Sequence, residues 1–357
     1  MISGAQKNMS EIQSFIPEVI NAHFDEAAYL YSEFQTERNK TEPDVDYLQN
    51  VMARINANLD GLAINASAAE VFCEEAITSG DAGEVFVASF LAFKDGDLEK
   101  IKPVADASQA EPELLEALAY ALTWHPWSLS SFWATKFIGA KQITMASVGL
   151  FCFNSNKKSP PLSLNDLLAR SLVDKNLSVI PLLLDIAIKN KDLSVLPALQ
   201  QYCSEEQDTT LFQVLKARLK LGDASAVIEL KLFVVTENTN REEVLNLVFP
   251  QLDKTEAKQW ISELNSIPGS ERFILLAVGV IQEKPLLPWV IKQMEKTELA
   301  RVAGKVFSQL TGINLKERNW LLNEEAMDQK WLEIEGDEEL EWPDVAKIQQ
   351  AMQSIRG

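Results

Sequence analysis

Histidine is nearly missing from this sequence, with two residues, His23 and His125, in a chain of 357. His23 is followed by Phe-Asp-Glu-Ala and has no second histidine one helical turn away, so the chain lacks the paired ligands of a zinc-protease helix. Cysteine is almost as scarce: Cys73, Cys152 and Cys203 are scattered, odd in number and without a C-x-x-C pair. That set gives neither a disulfide framework nor a zinc site, and it reads as small apolar side chains in a reducing compartment. Glycine-rich phosphate loops, the dinucleotide fingerprint after a strand and the G-x-S-x-G elbow are absent. No metal or cofactor is implied.

Long apolar runs are missing too. The best of them, Leu182-Leu-Leu-Asp-Ile-Ala-Ile, is broken by Lys189-Asn-Lys, well short of the roughly 18 residues that span a bilayer. The opening Met1-Ile-Ser-Gly-Ala-Gln-Lys-Asn has no charged flank and no apolar h-region, which predicts a cytoplasmic chain. Basic residues are outnumbered, 33 against 52 acidic, for a net charge of −19. A chain so charged has no basic stripe with which to neutralise nucleic-acid phosphates or anionic lipid. Its field favours a protein partner with a basic surface, though acidity also serves solubility alone. Nothing in the sequence sets an oligomeric state.

Carboxylates are abundant but poorly arranged for catalysis. Doublets such as Glu74-Glu75 and Glu324-Glu325 point about 100° apart on a helix and do not converge as an acid/base pair. Asp95-Gly-Asp97 and Glu335-Gly-Asp337 lack the ligand spacing and distal Glu of a calcium loop. An enzyme would have to gather acids from distant segments, and the expectation is a non-enzymatic chain.

What is present is a repeat. Apolar helical stretches open at Gly83, Glu113, Ile143, Leu177, Thr210, Glu242, Glu271 and Leu299, about 28 to 34 residues apart, the period of two-helix solenoid units. Each first stretch ends in a polar break, among them Lys94-Asp-Gly-Asp, Lys189-Asn-Lys-Asp, Leu221-Gly-Asp, Leu252-Asp-Lys-Thr and Gln282-Glu-Lys-Pro. Glycine tolerates the left-handed turn that stops a helix, and Asp or Thr caps the next one. The strongest strand candidate, Lys231-Leu-Phe-Val-Val, continues a helical pattern begun at Ala224. The reading is all-α: a HEAT-like α-solenoid of antiparallel helix pairs over residues 65–315, without the tetratricopeptide signature.

Residues 1–64 read as a helical hairpin that caps the array. Ile16, Ile20, His23, Ala27, Leu30 and Phe34 form one apolar stripe, and Leu48, Met52, Ile55, Leu59 and Leu62 a second, separated by the break at Asn39-Lys-Thr-Glu-Pro43-Asp. His23 on that stripe is expected to be a buried, hydrogen-bonded structural residue. His125, in Thr123-Trp-His-Pro-Trp127, is expected to pack a turn between helices. Residues 316–357 form an acidic tail carrying Trp320, Trp331 and Trp342, with a short helix from about Asp344 to Ile355. A charge run of this kind reads as a solvated loop, while its tryptophans could dock it on the solenoid or on a partner.

Several segments together resemble a known family. Phe15-Ile-Pro-Glu-Val-Ile-Asn-Ala-His23-Phe-Asp-Glu-Ala-Ala-Tyr-Leu-Tyr31, Asn58-Leu-Asp60-Gly61-Leu62, Gly83-Glu-Val-Phe-Val-Ala, Ala300-Arg-Val-Ala-Gly-Lys-Val-Phe-Ser-Gln-Leu-Thr-Gly312 and Glu341-Trp-Pro-Asp344 follow the order of motifs in a family of bacterial HEAT-like proteins often encoded in type VI secretion clusters. The resemblance implies a role beside spike, tip and effector proteins, gives His23, Asp60 and Gly61 a structural part in the motif, and brings no catalytic residues. The expected function is a cytoplasmic adaptor or accessory scaffold that engages a tip or effector protein. An immunity protein that neutralises a basic toxin is the alternative, and a HEAT-type enzyme a more distant one. Candidate contact residues are the tryptophans Trp127, Trp133 and Trp289 on second helices, with Trp331 and Trp342 of the tail. Each is also the kind of residue a core buries.

Overall fold

A computed structural model describes residues 16–40, 43–202, 209–236, 240–323, 337 and 340–356. Among them the chain is helical throughout: there is no strand, and the one β-bridge joins Leu321 to Pro343. The described residues form two compact units, one reaching Gly222 and the other running from Asp223. Both lie partly within the span the sequence reads as one set of repeats.

The first unit opens with α1 (Pro17–Arg38) and α2 (Val45–Ile64), which pack on one another. Ile20, Ala27, Leu30 and Phe34 are buried as the stripe predicts, joined by Phe24 and Tyr31. Two stripe positions are corrected. Ile16 is 62% exposed because it precedes the first helical residue, and Met52 is 38% exposed because Val51 takes the inward position at that turn. There follow α3 (Ala66–Ser79), α4 (Ala82–Asp95), α5 (Leu98–Ala107), α6 (Pro112–Trp124), α7 (Trp127–Ile138), α8 (Ile143–Ser155), α9 (Leu164–Val173), α10 (Ile180–Asn190), α11 (Leu196–Gln201) and α12 (Thr209–Lys220). The stretches expected to open repeats are α4, α6, α8, α10 and α12, and each packs on the next in that order. Sandwiched helices must be apolar nearly all round, and α4 buries every residue from Val85 to Phe93.

Two glycines set how closely these helices approach. A Cβ on Gly83 would stand 2.3 Å from the Ala28 carbonyl oxygen of α1, and one on Gly149 of α8 would stand 2.4 Å from the Ile138 nitrogen that ends α7. Only glycine lets backbones meet at these distances. The polar breaks do what their chemistry suggests. Gly96 ends α4 at φ 77°, and the Asp97 carboxylate then accepts a hydrogen bond from the Glu99 amide to start α5.

The second unit holds α13 (Ala226–Val235), α14 (Arg241–Val248), α15 (Lys254–Leu264), α16 (Glu271–Val280), α17 (Leu287–Gln293), α18 (Thr297–Thr311) and α19 (Val345–Arg356). The strand candidate at Lys231 lies inside α13. Helix α16 packs on both α14 and α18, and Asp253 opens α15 with a full capping box to Glu256. Short 3-10 turns precede α10, α11 and α17, each beside a proline near the helix start.

Candidate functional site

Helices α3, α4 and α5 enclose a pocket of about 320 Å³. Its floor is apolar because one face of α3 offers Cys73 and Ile77 while α4 offers Ala88, Leu91 and Ala92 and α5 offers Val104. Two alanines of α4 leave space where larger side chains would fill it. The mouth is charged. Glu70, Glu74, Asp95, Asp97 and Glu99 ring it, against the single cation Lys100. The Lys100 ammonium stands 2.7 Å from Asp95 and 3.3 Å from Glu70, and the hydrogen bond to Asp95, ahead of the other contacts, raises its pKa. Most of the rim charge is therefore left unneutralised within the pocket. Burial, reinforced by Glu70, pushes the Cys73 thiol up to about 12, so at neutral pH it behaves as a small apolar wall and not as a nucleophile.

A second polar cluster ties α1, α6 and α10 together. The Arg38 guanidinium reaches Glu116 and Asp185, each at 3.0 Å, and lies 4.7 Å from the centre of the Tyr120 ring. Lys189 stands 2.8 Å from Asp185 and donates to the Tyr120 hydroxyl at 3.0 Å. Burial raises the Glu116 pKa, while Arg38 opposes that shift. Tyr31, stacked on Phe86 at 4.2 Å, has its hydroxyl raised well above the ordinary range, first by burial and then by Glu116. The cations and carboxylates here are matched inside the cluster, and the arrangement acts as a tie between helices.

The two histidines differ in burial, and His23 is less buried than its place on the apolar stripe predicts. His23 is half-buried between α1 and α2, its Nδ1 2.8 Å from the Asn58 side-chain oxygen. Gly61 lies against the ring, where an added Cβ would come within 3.1 Å of Nε2, whereas Asp60 is exposed. His125 is buried at the end of α6, stacked on Phe90 at 4.1 Å. Its Nε2 lies 3.0 Å from the Phe90 carbonyl, and burial lowers its pKa to about 4.

The tryptophans expected to make contacts differ in their surroundings. Trp133 is buried against Phe93 and Phe137, and Trp127 is half-buried edge-on to Phe153. Trp289 is half-buried on α17, and Trp331 lies outside the described residues. Trp342 is 5% exposed, packed within its own chain, and Asp337 is fully buried. At these residues the tail packs on its own unit, with Arg272 of α16 pairing Asp337 and Arg301 of α18 donating to the Leu340 carbonyl, while most of the acidic run lies outside the described residues. Neither the pocket nor the Arg38 cluster was singled out from sequence.

Among the described residues no group of three or more His, Cys, Asp or Glu side chains is placed to hold a metal ion, and no helix is long and apolar enough to cross a membrane. No family model, curated protein or solved structure matches the chain.

Proposed function

We propose that the chain is a non-enzymatic protein-binding scaffold, a HEAT-like solenoid of antiparallel helix pairs, that receives a basic partner at the pocket walled by α3, α4 and α5. The observation that carries this reading is the composition of the pocket, an apolar floor under five carboxylates and one lysine. A partner side chain such as Leu or Met would fill the floor, while flanking Lys or Arg residues would meet the rim. The serial packing of α4, α6, α8, α10 and α12, and of α14, α16 and α18, supports the repeat architecture. The resemblance to HEAT-like proteins of type VI secretion clusters favours a cytoplasmic adaptor or accessory role at a tip or effector protein. An immunity role would use the same acidity, and rescue of cells from a toxic effector distinguishes it from an adaptor.

The test begins by capturing partners of the tagged chain in its native host, then measuring association rates for the wild type and the double variant Glu70→Lys, Glu74→Lys. The expected partner is basic at its contact surface. Its on-rate should fall as salt rises from about 50 to about 500 mM, and binding should be lost in the variant while helicity is kept. A partner that binds both proteins equally, with a flat salt series, would overturn the assignment of the pocket.

A further inference from the structure

The second unit carries a row of charges that the repeat itself sets up. Glu242 on α14, Arg272 on α16 and Arg301 on α18 lie one repeat apart, and their helices pack side by side. Across this row the chain lays its own acidic segment. The Asp337 carboxylate pairs with Arg272 through two hydrogen bonds, 2.8 and 2.7 Å, the fork-to-fork geometry that selects a carboxylate. Glu242 is the more distant competitor for the same guanidinium, at 3.7 Å. Arg301 donates through Nε to the Leu340 carbonyl at 2.8 Å, and its guanidinium lies 5.5 Å from the centre of the Trp342 ring.

Proline follows the tryptophan into a seat of its own. Pro343 rests on Gly304 of α18, where a Cβ would stand 3.2 Å from the proline Cγ. The segment is further held by main-chain bonds, from the Leu322 amide to the Trp342 carbonyl at 3.0 Å and from the Asp344 amide to the Trp320 carbonyl at 2.7 Å. The surface thus reads a carboxylate, a backbone carbonyl, an indole and a proline in linear order. The Leu340 amide also donates to the Asp337 carbonyl at 2.9 Å, so the segment turns back between its carboxylate and its indole, and all four features are supplied within residues 337 and 340–344. The seat has a defect: the buried Trp342 indole N–H has no acceptor among the described residues. An unsatisfied buried donor weakens the hold of the segment on its seat.

We propose that this face of α16 and α18 is a recognition site for an acidic turn followed by Trp-Pro on a protein partner, and that the chain's own residues 337 and 340–344 are its intramolecular competitor. This surface is separate from the acid-rimmed pocket and calls for a partner segment of the opposite charge. A tethered competitor acts at an effective concentration in the millimolar range, so the free protein keeps the site covered until a tighter or more concentrated ligand arrives.

The probe is a fluorescein-labelled synthetic peptide with the sequence of residues 335–346, titrated into the full chain and followed by anisotropy. The double variant Asp337→Asn, Trp342→Ala should bind it at least about tenfold more tightly than the wild type, because the internal competitor is weakened. Adding Arg272→Ala and Arg301→Ala should abolish that binding, and a scrambled peptide should bind neither protein. If the double variant keeps its helicity and binds nothing, the proposal fails. Should it not fold, hydrogen exchange on the wild type decides: excess peptide should speed exchange at the Leu322 and Asp344 amides. Amides there that stay as protected as those of Leu275–Val278, with or without peptide, would make the segment a fixed part of the core and overturn the proposal. A wild-type dimer growing with concentration, with no peptide binding, would overturn the assignment to a foreign partner.

Discussion

Acidification should strike the first unit at one residue, His125. The ring closes α6, stacks on Phe90 with an interplanar angle of 12° and is 5% exposed. A carbonyl can only accept, so the Nε2 that faces Phe90 O carries the proton and Nδ1 is bare in the neutral ring. Charging it means placing a cation in a nearly dry site with Lys94 as a like-charged neighbour, and its pKa is lowered to about 4, first by burial. In the unfolded chain the same ring titrates near 6.5. A histidine with a depressed folded pKa stabilises the fold above the unfolded value and loses that contribution as pH falls from about 6.5 toward 4. Between pH 7 and pH 5 the loss from this one group is about 2 kcal/mol. Urea unfolding of the wild type and of His125→Gln at the two pH values isolates it, since Gln keeps an N–H donor but cannot titrate. The wild type should lose about 2 kcal/mol more than the variant over that interval. Equal losses in the two proteins would refute the assignment of a neutral, buried His125.

Arg38→Ala leaves the half-buried Glu116 and Asp185 without their shared cation, and should cost about 3 kcal/mol in urea unfolding, with Arg38→Lys recovering only part because one ammonium cannot fork to both. Gly83→Ala and Gly149→Ala should each lower stability by about 1 to 3 kcal/mol in thermal unfolding, since the new methyl meets backbone at 2.3 and 2.4 Å. An unchanged midpoint for either glycine variant would mean the helices can separate without cost.

The helices were readable because packing on two sides demands an apolar residue at nearly every position. The openings expected at Glu113, Ile143, Thr210 and Glu271 fall within a residue of the starts of α6, α8, α12 and α16. Leu177 opens the 3-10 turn that leads into α10 rather than the helix itself, a shift caused by Pro181 near the helix start. Both sites were illegible for a different reason. Arg38, Glu116 and Asp185 come from three helices far apart in sequence, and no local pattern says which faces meet. The pocket is signalled only by alanine at positions 88 and 92 of α4, a hint of space that acquires meaning once α3 and α5 are seen to wall it. For the described residues of the tail, charge count suggested solvent because the arginines that hold them sit in the repeats, not beside them.

That last mismatch bears on how the whole chain presents its charge. Among the described residues the buried charged side chains are three arginines, Arg218, Arg241 and Arg301, and two carboxylates, Glu37 and Asp337. Arginine suits such positions because its guanidinium is weakly hydrated and can be satisfied by carbonyls, as Arg241 is by Val234 and Arg301 by Leu340. A carboxylate needs donors, and the two that are buried take them from Lys40 with the Asp44 amide, and from Arg272. Burial among these five side chains therefore hides more positive than negative charge. Among the described residues burial tips the exposed charge further toward the acidic side, and the rim of the α3–α5 pocket belongs to it. Long-range attraction and local contact would then act on the same class of partner: the field draws in a basic surface, and the pocket offers the apolar floor that the field alone cannot supply.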